Sequence, residues 1–294
     1  MSMIEVKPAG RGEGEGGGRG AGGVGGGVGL SVVIPMYREA GRIGATLADA
    51  AGWLAGWGEV SELILVDDGS PDGTAGAVEP WVREGARGNL SRVVLLRHGV
   101  NRGKGAAVRT GLSAARGSWC LMMDADNSAR VREVERLWAG RVGAVMVCGS
   151  RNAAGSRVVT RWTRRAMGRC FHAALRVMGM AMLRDTQCGF KLYRGDLARG
   201  VSGLGREDRF AFDLEHVLIA RRWWRALGGE GEGVREVGIE WAHAEGGTVR
   251  PVRDGVSMLW RAGVIRWRGV PGLEGAVRRG VEVEAKPAGA AVAR

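Results

Sequence analysis

Cysteine is scarce in this sequence, and the four that occur form no pattern. They stand apart as Cys120, Cys148, Cys170 and Cys188, with no C-x-x-C pair among them. This usage predicts reduced thiols in a cytoplasmic compartment and argues against a disulfide framework. The four histidines show no metal-ligand spacing with these cysteines, so we expect no structural zinc site.

Long apolar runs are also missing. No stretch reaches the ~20 apolar residues that a membrane-spanning helix needs, and the N-terminal residues lack the pattern of a signal peptide. Apolar residues nevertheless make up 45% of the chain, so a folded globular body is expected. These features predict a protein that is soluble or lies on a surface.

Lysine is rare although the chain is strongly basic. The net charge is +12, yet only four of the 43 basic residues are lysines. Lys7 and Lys286 lie in the terminal regions, whereas Lys104 and Lys191 lie within two of the motifs described below. An interior lysine in an arginine-rich chain indicates a site that uses a compact point charge, although composition alone explains it equally well.

The positive charge is concentrated in one segment. Residues 151–200 carry eleven basic side chains against two acidic ones, a local charge of +9. Such a segment is expected to face something anionic. Nucleic acid, anionic lipid and a phosphorylated substrate are all open at this point.

The chain divides into a central body and two tails. Residues 1–29 are rich in glycine with balanced charges, which predicts a disordered tail. Residues 272–294 have a similar composition and predict a flexible C-terminal tail. Residues 30–271 are predicted to form the folded domain.

Short apolar runs alternate with segments of helical length in this domain. The predicted strands are Leu30–Met36, Leu63–Val66, Val93–Leu96, Trp119–Met123 and Ala144–Cys148. The predicted helices are about Ala40–Ala55, Thr74–Glu84, Gly105–Ala115 and Val131–Ala139. Continuous apolar strands between helices indicate an α/β fold with a mostly parallel sheet covered on both faces.

Polar clusters follow three of the predicted strands. They are Tyr37-Arg38-Glu39, Asp67-Asp68-Gly69-Ser70 and Asp124-Ala125-Asp126. In open α/β sheets, ligands bind beyond the carboxyl ends of the strands. We therefore expect the three clusters to converge on one crevice.

Asp124 and Asp126 are candidates for a metal site. Residues two apart on a strand point to the same side, so both carboxylates can approach one hard divalent cation that also binds phosphate oxygens. The alternative is a turn in which Asp126 caps the next helix. We favour the metal site.

The string from Asp67 to Thr74 joins adjacent acids to a Gly/Pro turn. An acid here can accept hydrogen bonds from a nucleobase imide or a ribose hydroxyl. Asp72 and Thr74 serve the turn and the helix start, and we assign Asp67 or Asp68 to a nucleotide.

Asn101–Arg109 opens a helix with glycines and Lys104. A Walker loop or a dinucleotide fingerprint would need other residues at His98, Gly105 and Val108, so both are rejected. The string still predicts a helix N-terminus whose amides and lysine can meet an anion.

Two segments have the pattern of basic amphipathic helices. Arg161–Leu183 contains Arg161, Arg164, Arg165 and Arg169 among apolar residues. The second has Val256, Leu259, Trp260, Val264 and Trp267, with Arg261, Arg266 and Arg268 between them. Both patterns suit a membrane interface, and packing on the protein's own core is an equally good interpretation. Aromatic–basic alternation also suits single-stranded nucleic acid, but no RNA-binding signature occurs among the strands, so no nucleic-acid partner is expected.

Several of these strings resemble family 2 glycosyltransferases, and within them the dolichyl-phosphate β-glucosyltransferase group. The resemblance covers about Leu30 to Arg268. It is carried by Ser31–Tyr37, Asp67–Thr74, Gly103–Arg109, Asp124–Asp126, Gly149–Arg151, Asp185–Leu192 and Phe210–Glu215. The last two strings are the more specific, and they favour the glucosyl over the mannosyl branch. Without the resemblance, the first of these two would predict only a buried polar turn.

The resemblance implies a GT-A fold and a set of site residues. Pro35, Tyr37, Glu39 and Asp68 would hold the uridine, and Asp124 and Asp126 would hold Mg²⁺ or Mn²⁺ on the diphosphate. The acceptor phosphate would have Arg151, Arg164 and Lys191 as candidates. Asp213, a catalytic candidate, and Glu215 would orient basic groups or the sugar.

The chain departs from the pattern of the group at several positions. Asn127-Ser128 follows the D-x-D in place of Gly-Ala, Phe210 stands for a tryptophan, and Gly246-Gly247-Thr248 stands for Gly-Ser-Lys. The N-terminal membrane helix of eukaryotic members has no counterpart in residues 1–29.

The implied activity is inverting transfer of glucose from UDP-glucose to a dolichyl or polyprenyl phosphate. We expect it at an anionic membrane surface, with the protein peripheral on the cytoplasmic face. A phosphate acceptor is largely anionic at neutral pH, so a strong general base is unnecessary. The alternatives are a mannosyltransferase or other family 2 enzyme, a non-catalytic GT-A-like scaffold, and a basic nucleic-acid-binding protein. The intact D-x-D argues against the scaffold.

Overall fold

The computed structural model describes residues 2–4, 27–159, 173–180, 182–242 and 251–285. The strands are β1 Ser2–Ile4, β2 Leu30–Met36, β3 Ser61–Asp67, β4 Leu90–Arg97, β5 Trp119–Met123, β6 Met146–Ser150, β7 Arg157–Val159, β8 Phe190–Arg194, β9 Val234–Gly238 and β10 Glu240–Ala242. The helices are α1 Ile43–Gly56, α2 Thr74–Glu84, α3 Lys104–Ala114, α4 Val134–Ala139, α5 Gly195–Leu204, α6 Phe212–Ala226, α7 Pro251–Arg268 and α8 Leu273–Ala285. A 3-10 turn, Val131–Glu133, leads into α4, and residues 173–177 are also helical.

Eight of the described strands form one sheet, in the order β1-β4-β3-β2-β5-β8-β6-β9. The strands from β4 to β5 run parallel to one another, as do β6 and β9. β8 runs antiparallel between β5 and β6, and β1 is an antiparallel edge strand. β7 and β10 form a small separate parallel pair. The prediction of an α/β fold with a mostly parallel sheet is confirmed.

Helices cover both faces of the large sheet, which explains why its central strands are apolar throughout. Every residue of β2 and of β3 is buried. On one face the core is formed with α1, α2 and α4, and on the other with α3, α5, α6 and α8. This layering leaves the carboxyl ends of β3, β2 and β5 side by side at one edge.

Both predicted tails contribute ordered structure, which corrects the predicted domain bounds. Ser2–Ile4 pairs with β4, although it lies within the predicted N-terminal tail. Residues 273–285 form α8, although a flexible tail was expected from residue 272. Val277 of α8 is buried, and Gly280 lies so close to the Trp223 ring that an added Cβ would be 2.9 Å from it. Small residues therefore let α8 approach the core closely.

A third apolar cluster joins α6, α7 and residues 173–180. Its buried members are Leu175, Met180, Ala211, Leu214, Ala262 and Ile265. The second predicted amphipathic helix is thus α7, and one side of it packs on the protein. Most of the first, Arg161–Leu183, cannot be compared, because residues 160–172 and 181 lie outside the described residues. Within the part of the chain that is described, no helix has both the length and the apolar character to cross a bilayer.

Candidate active site

The D-x-D lies directly beyond the carboxyl end of β5, where Asp124 and Asp126 are both partly exposed. The Asp124 amide donates a hydrogen bond to the Gly189 carbonyl at 3.1 Å, which ties the motif to the segment before β8. Asp126 Oδ1 accepts a hydrogen bond from the Ser128 amide at 3.0 Å. Asn127 between them has a φ of 55°, so the chain turns sharply after the motif.

Lys104, the first residue of α3, reaches the same motif. Its Nζ lies 2.5 Å from Asp124 Oδ1. Burial disfavours the charged form of Lys104, but the carboxylates of Asp124, Asp213 and Asp126 outweigh this effect and raise its pKa. Lys104 therefore carries its charge at neutral pH and lies among three acids.

The carboxylate pair fits a magnesium or manganese ion that is shared with a substrate. Among the described residues, no three His, Cys, Asp or Glu side chains are grouped as a complete metal site. Two carboxylates suffice where substrate phosphates and water complete the coordination, as is usual for Mg²⁺. The absence of a side chain at Gly189 leaves space for the Asp124 carboxylate, because a Cβ at that position would lie 1.9 Å from Asp124 Oδ2.

Lys191 lies beneath this site, paired with Asp213. Antiparallel pairing of β8 with β5 sets Lys191 opposite Met122. The buried Lys191 Nζ lies 2.5 Å from Asp213 Oδ1, in the first turn of α6, and donates to the Cys188 carbonyl at 2.5 Å. Burial opposes its charge, but Asp213 outweighs burial and raises the pKa of Lys191. This placement differs from the one expected of an acceptor-phosphate ligand, because the ammonium has no exposed surface.

Arg151 forms a bidentate salt bridge with Asp185. Its Nε and Nη2 lie 2.7 and 2.8 Å from the two carboxylate oxygens, and its amide donates to Asp185 Oδ2 at 2.9 Å. Burial acts to raise the pKa of Asp185, but Arg151 outweighs it and the pKa is lowered. The guanidinium is partly exposed and lies 5.4 Å from the centre of the Trp241 ring. Arg164, the third acceptor-phosphate candidate, lies outside the described residues.

Asp68 ties the end of β3 to the loop that leads into α3. Its buried carboxylate accepts hydrogen bonds from His98 Nδ1 at 2.6 Å, Asn101 Nδ2 at 2.9 Å, the Arg102 amide at 2.9 Å and the Gly103 amide at 2.7 Å. The amides of Arg102 and Gly103, just before α3, therefore donate within the protein. Binding of an anion at the start of α3 stays a prediction. Asp68 has a loop-holding function that its sequence motif did not reveal.

The neighbouring acid, Asp67, is also engaged within the protein. Its Oδ1 accepts from the Ser70 amide at 3.0 Å, and its Oδ2 lies 3.1 Å from Arg97 Nε. Direct contact of Asp67 or Asp68 with a nucleotide stays a prediction.

The third polar cluster, Tyr37-Arg38-Glu39, follows β2 at the same carboxyl edge of the sheet. Pro35 is buried within β2, and Tyr37 is partly exposed just beyond it. Glu39 forms a salt bridge with Arg42, whose Nη2 lies 2.7 Å from Glu39 Oε1. The hydrogen bond that Arg42 donates to Glu39 raises the pKa of Arg42 most, and the charge of Asp126 also contributes. The three clusters thus share one edge, as predicted.

A second charged network, which the sequence did not predict, joins α7 to the start of α6. Glu215 Oε2 accepts from the amides of Arg206 and Glu207, each at 2.8 Å. Arg268 of α7 contacts Glu215 and lies 3.5 Å from Glu207, and Arg261 lies 3.6 Å from Glu207. These partners are far apart in sequence, and the string that contains Glu215 was the only signal that could have pointed to them.

Known proteins share this fold and much of this sequence. Residues 31–201 match the model of the family described as Glycosyl transferase family 2. The dolichyl-phosphate β-glucosyltransferase of Dictyostelium discoideum is 30% identical over 257 residues, which span 83% of this chain and 76% of the relative. The Saccharomyces cerevisiae protein of the same name is 30% identical over 257 residues, spanning 81% and 74%.

Solved structures agree on the fold. Glucosyl-3-phosphoglycerate synthase from Mycobacterium tuberculosis, in complex with Mn²⁺, UDP-glucose and phosphoglyceric acid, superposes with a TM-score of 0.58 at 18% identity. The superposition covers 83% of this chain and 81% of that one. Together with the sheet and the D-x-D, these likenesses show that the chain belongs to glycosyl transferase family 2 and is a glycosyltransferase with the GT-A fold.

Proposed function

We propose that this enzyme transfers glucose from UDP-glucose to a dolichyl or polyprenyl phosphate, with inversion at the anomeric carbon. The acceptor and sugar are supported by the names of relatives that match most of the chain. A protein with a similar fold was crystallised with UDP-glucose and Mn²⁺. The observation that carries the chemistry is the group formed by Asp124, Asp126 and Lys104 at the carboxyl edge of the sheet.

The donor diphosphate would lie against this group. Asp124 and Asp126 would hold Mg²⁺ or Mn²⁺, which supplies Lewis-acid stabilisation of the charge that builds on the leaving UDP. Lys104, charged at neutral pH, would offer a second positive charge at the same place. The uridine would be held by residues that follow the neighbouring strands: Pro35, Tyr37, Glu39, Asp67 and Asp68.

The acceptor is itself the nucleophile. A phosphate monoester has a second pKa of about 6 and is largely dianionic at neutral pH, so no strong base is required. Its oxygen forms the new bond to the anomeric carbon as the bond to UDP breaks on the opposite side. Arg151 and Arg164 would bind this phosphate. Lys191 holds the carboxylate of Asp213 in place, and it would act on the sugar through Asp213.

A lipid acceptor implies that the enzyme works at a membrane. We therefore propose a peripheral position on the cytoplasmic face of an anionic membrane. The excess of basic residues between 151 and 200 supports this position, because it favours an anionic surface.

A donor and acceptor panel tests the proposal. The protein is incubated with UDP-glucose, UDP-galactose or GDP-mannose, each with polyprenyl phosphate or with 3-phosphoglycerate, and products are identified by mass spectrometry and NMR. We expect β-glucosyl polyprenyl phosphate from UDP-glucose alone. Mannosyl lipid, or glucosyl phosphoglycerate without glucosyl lipid, would replace the proposed donor or acceptor. The Asp124→Asn variant serves as the inactive control.

A further inference from the structure

Helix α7 has one buried side and one side that meets solvent. Ala262 and Ile265 have no exposed surface and pack in the cluster with α6. Gly263 faces Met178, where an added Cβ would lie 3.5 Å from Met178 Cε. Ala262 and Ile265 thus fix one side of the helix to the body, and Gly263, about 100° around the axis from Ala262, lies against the neighbouring segment.

Two tryptophans lie on the opposite side. Trp260 is 75% exposed and Trp267 is 89% exposed. Seven residues are close to two helical turns, so the two rings lie about 20° apart around the helix axis, on the side away from Ala262. Val177, in the segment that packs beside α7, is 90% exposed. Large apolar side chains in water cost free energy, and two such rings on one side of a helix point to an interaction surface.

The surroundings of the two tryptophans are basic. Arg261 and Arg266 are exposed and lie about 100–120° around the helix axis from the tryptophans, one in each direction. Tryptophan with arginine beside it is the composition of a helix that lies at a membrane–water interface, where the ring sits at the headgroup level and the cation meets anionic lipid. Neither a polar partner nor a neutral one would use both features.

We propose that Trp260 and Trp267 form the surface by which this protein docks on an anionic lipid membrane. This surface uses none of the basic residues between 161 and 169, and the proposal rests on the proposed function only in that a lipid acceptor gives docking its purpose. The docked helix is joined to the site, because Arg268 at its end contacts Glu215, two residues after Asp213.

Vesicle sedimentation tests the docking surface. The parent protein, the double variant Trp260→Ser/Trp267→Ser and the control Val142→Ser are mixed with phosphatidylcholine vesicles, with and without phosphatidylglycerol. Val142 is 74% exposed and lies between α4 and β6, so its variant removes exposed apolar surface from a different part of the chain. Thermal unfolding by circular dichroism checks that all three proteins fold alike.

We expect the parent and Val142→Ser to bind the anionic vesicles and the double variant to bind about tenfold more weakly or not at all. Arg266→Gln should weaken binding to anionic vesicles about fivefold at low salt and leave binding to neutral vesicles unchanged. Equal binding by the double variant and the parent would overturn the proposal. The proposal would also be overturned if the parent protein does not bind vesicles but forms a dimer that the double variant cannot form.

Transfer assays keep this result separate from the proposed function. The double variant should glucosylate a short, detergent-soluble polyprenyl phosphate at the parent rate, and a long-chain acceptor in vesicles more slowly. If the parent transfers to neither acceptor, the proposed function fails, whereas the vesicle binding still decides whether α7 docks.

Discussion

The ammonium of Lys104 lies 2.5 Å from Asp124 Oδ1, so a cation already sits on one of the two carboxylates that fit a metal. The sequence predicted that Asp124 lies in the crevice and that Lys104 meets an anion, but it did not predict their contact. Because the ammonium and a divalent cation both favour Asp124, each should weaken the binding of the other until a diphosphate gives Lys104 a second anionic partner.

Lys104→Met should therefore strengthen metal binding in the absence of nucleotide and weaken the binding of UDP. Alone, the variant should bind Mn²⁺ about fivefold more tightly, because a competing charge has gone. With UDP present, the variant should bind the nucleotide more weakly than the parent does. Lys104→Arg keeps the charge and serves as the control. Titration of Mn²⁺ by electron paramagnetic resonance, which needs no turnover, gives the result, and unchanged affinity in the absence of UDP would contradict the competition.

Asp124→Asn and Asp126→Asn should each lower turnover by a factor of about a hundred or more, because each removes a negative ligand from the metal. The melting temperature should change little, since both side chains are partly exposed. Asp72→Asn is the matched control, an acid in the turn before α2 at the same edge of the sheet. Full parent activity in excess chelator would show that no metal takes part.

The sequence predicted the sheet and its carboxyl edge well, because these depend on local patterns. The strands β2 and β5 and the helix α2 have the predicted bounds, since a run of apolar residues ends where the chain meets solvent. The sequence did not predict β8, because a charged residue, Lys191, lies within it. A buried charge is not expected in a central strand unless a partner neutralises it. That partner, Asp213, is 22 residues further on.

Long-range contacts account for the other differences. The bond between Arg268 and Glu215 spans 53 residues, and no local pattern indicates it. The sequence predicts a flexible tail where α8 lies, because small residues are common in flexible segments. Gly280 instead has a packing role, because a side chain at this position would collide with the ring of Trp223.

Asp68→Ala should destabilise the protein as well as weaken UDP binding. The carboxylate accepts four hydrogen bonds from the loop between β4 and α3, and its loss leaves buried donors without a partner. We expect the free energy of unfolding to fall by about 3 kcal/mol. Urea denaturation and calorimetry with UDP measure the two effects. Weaker UDP binding at unchanged stability would mean that Asp68 serves the nucleotide alone.

His216 should make the protein less stable in mild acid. Its ring is fully buried against Tyr193 and Phe212, and burial, aided by the charges of Lys191 and Arg109, lowers its pKa well below the ordinary value. Below about pH 6.5 this histidine therefore binds a proton in the unfolded chain but not in the folded one. The free energy of unfolding then falls by about 1.4 kcal/mol for each unit that the pH is lowered. Urea unfolding from pH 7 to pH 5 measures this slope. His216→Phe should flatten it, and an equal slope in the variant would assign the effect to other groups.

Gly189→Ala is the sharpest test of the carboxylate site, because it adds one methyl group at one oxygen. The new Cβ would lie 1.9 Å from Asp124 Oδ2, well inside contact distance, so the Asp124 carboxylate must turn away from its present position. Turning it breaks the arrangement in which Asp124 meets Lys104 and would share a metal with Asp126. We expect Mn²⁺ affinity and turnover each to fall by about tenfold or more while the fold persists. Gly203→Ala is the matched control, since its Cβ would have no atom within 4 Å and alanine suits the interior of α5. The control should keep parent activity and gain slightly in melting temperature. If Gly189→Ala binds Mn²⁺ and turns over like the control, the position of Asp124 seen here is not the one that matters for catalysis.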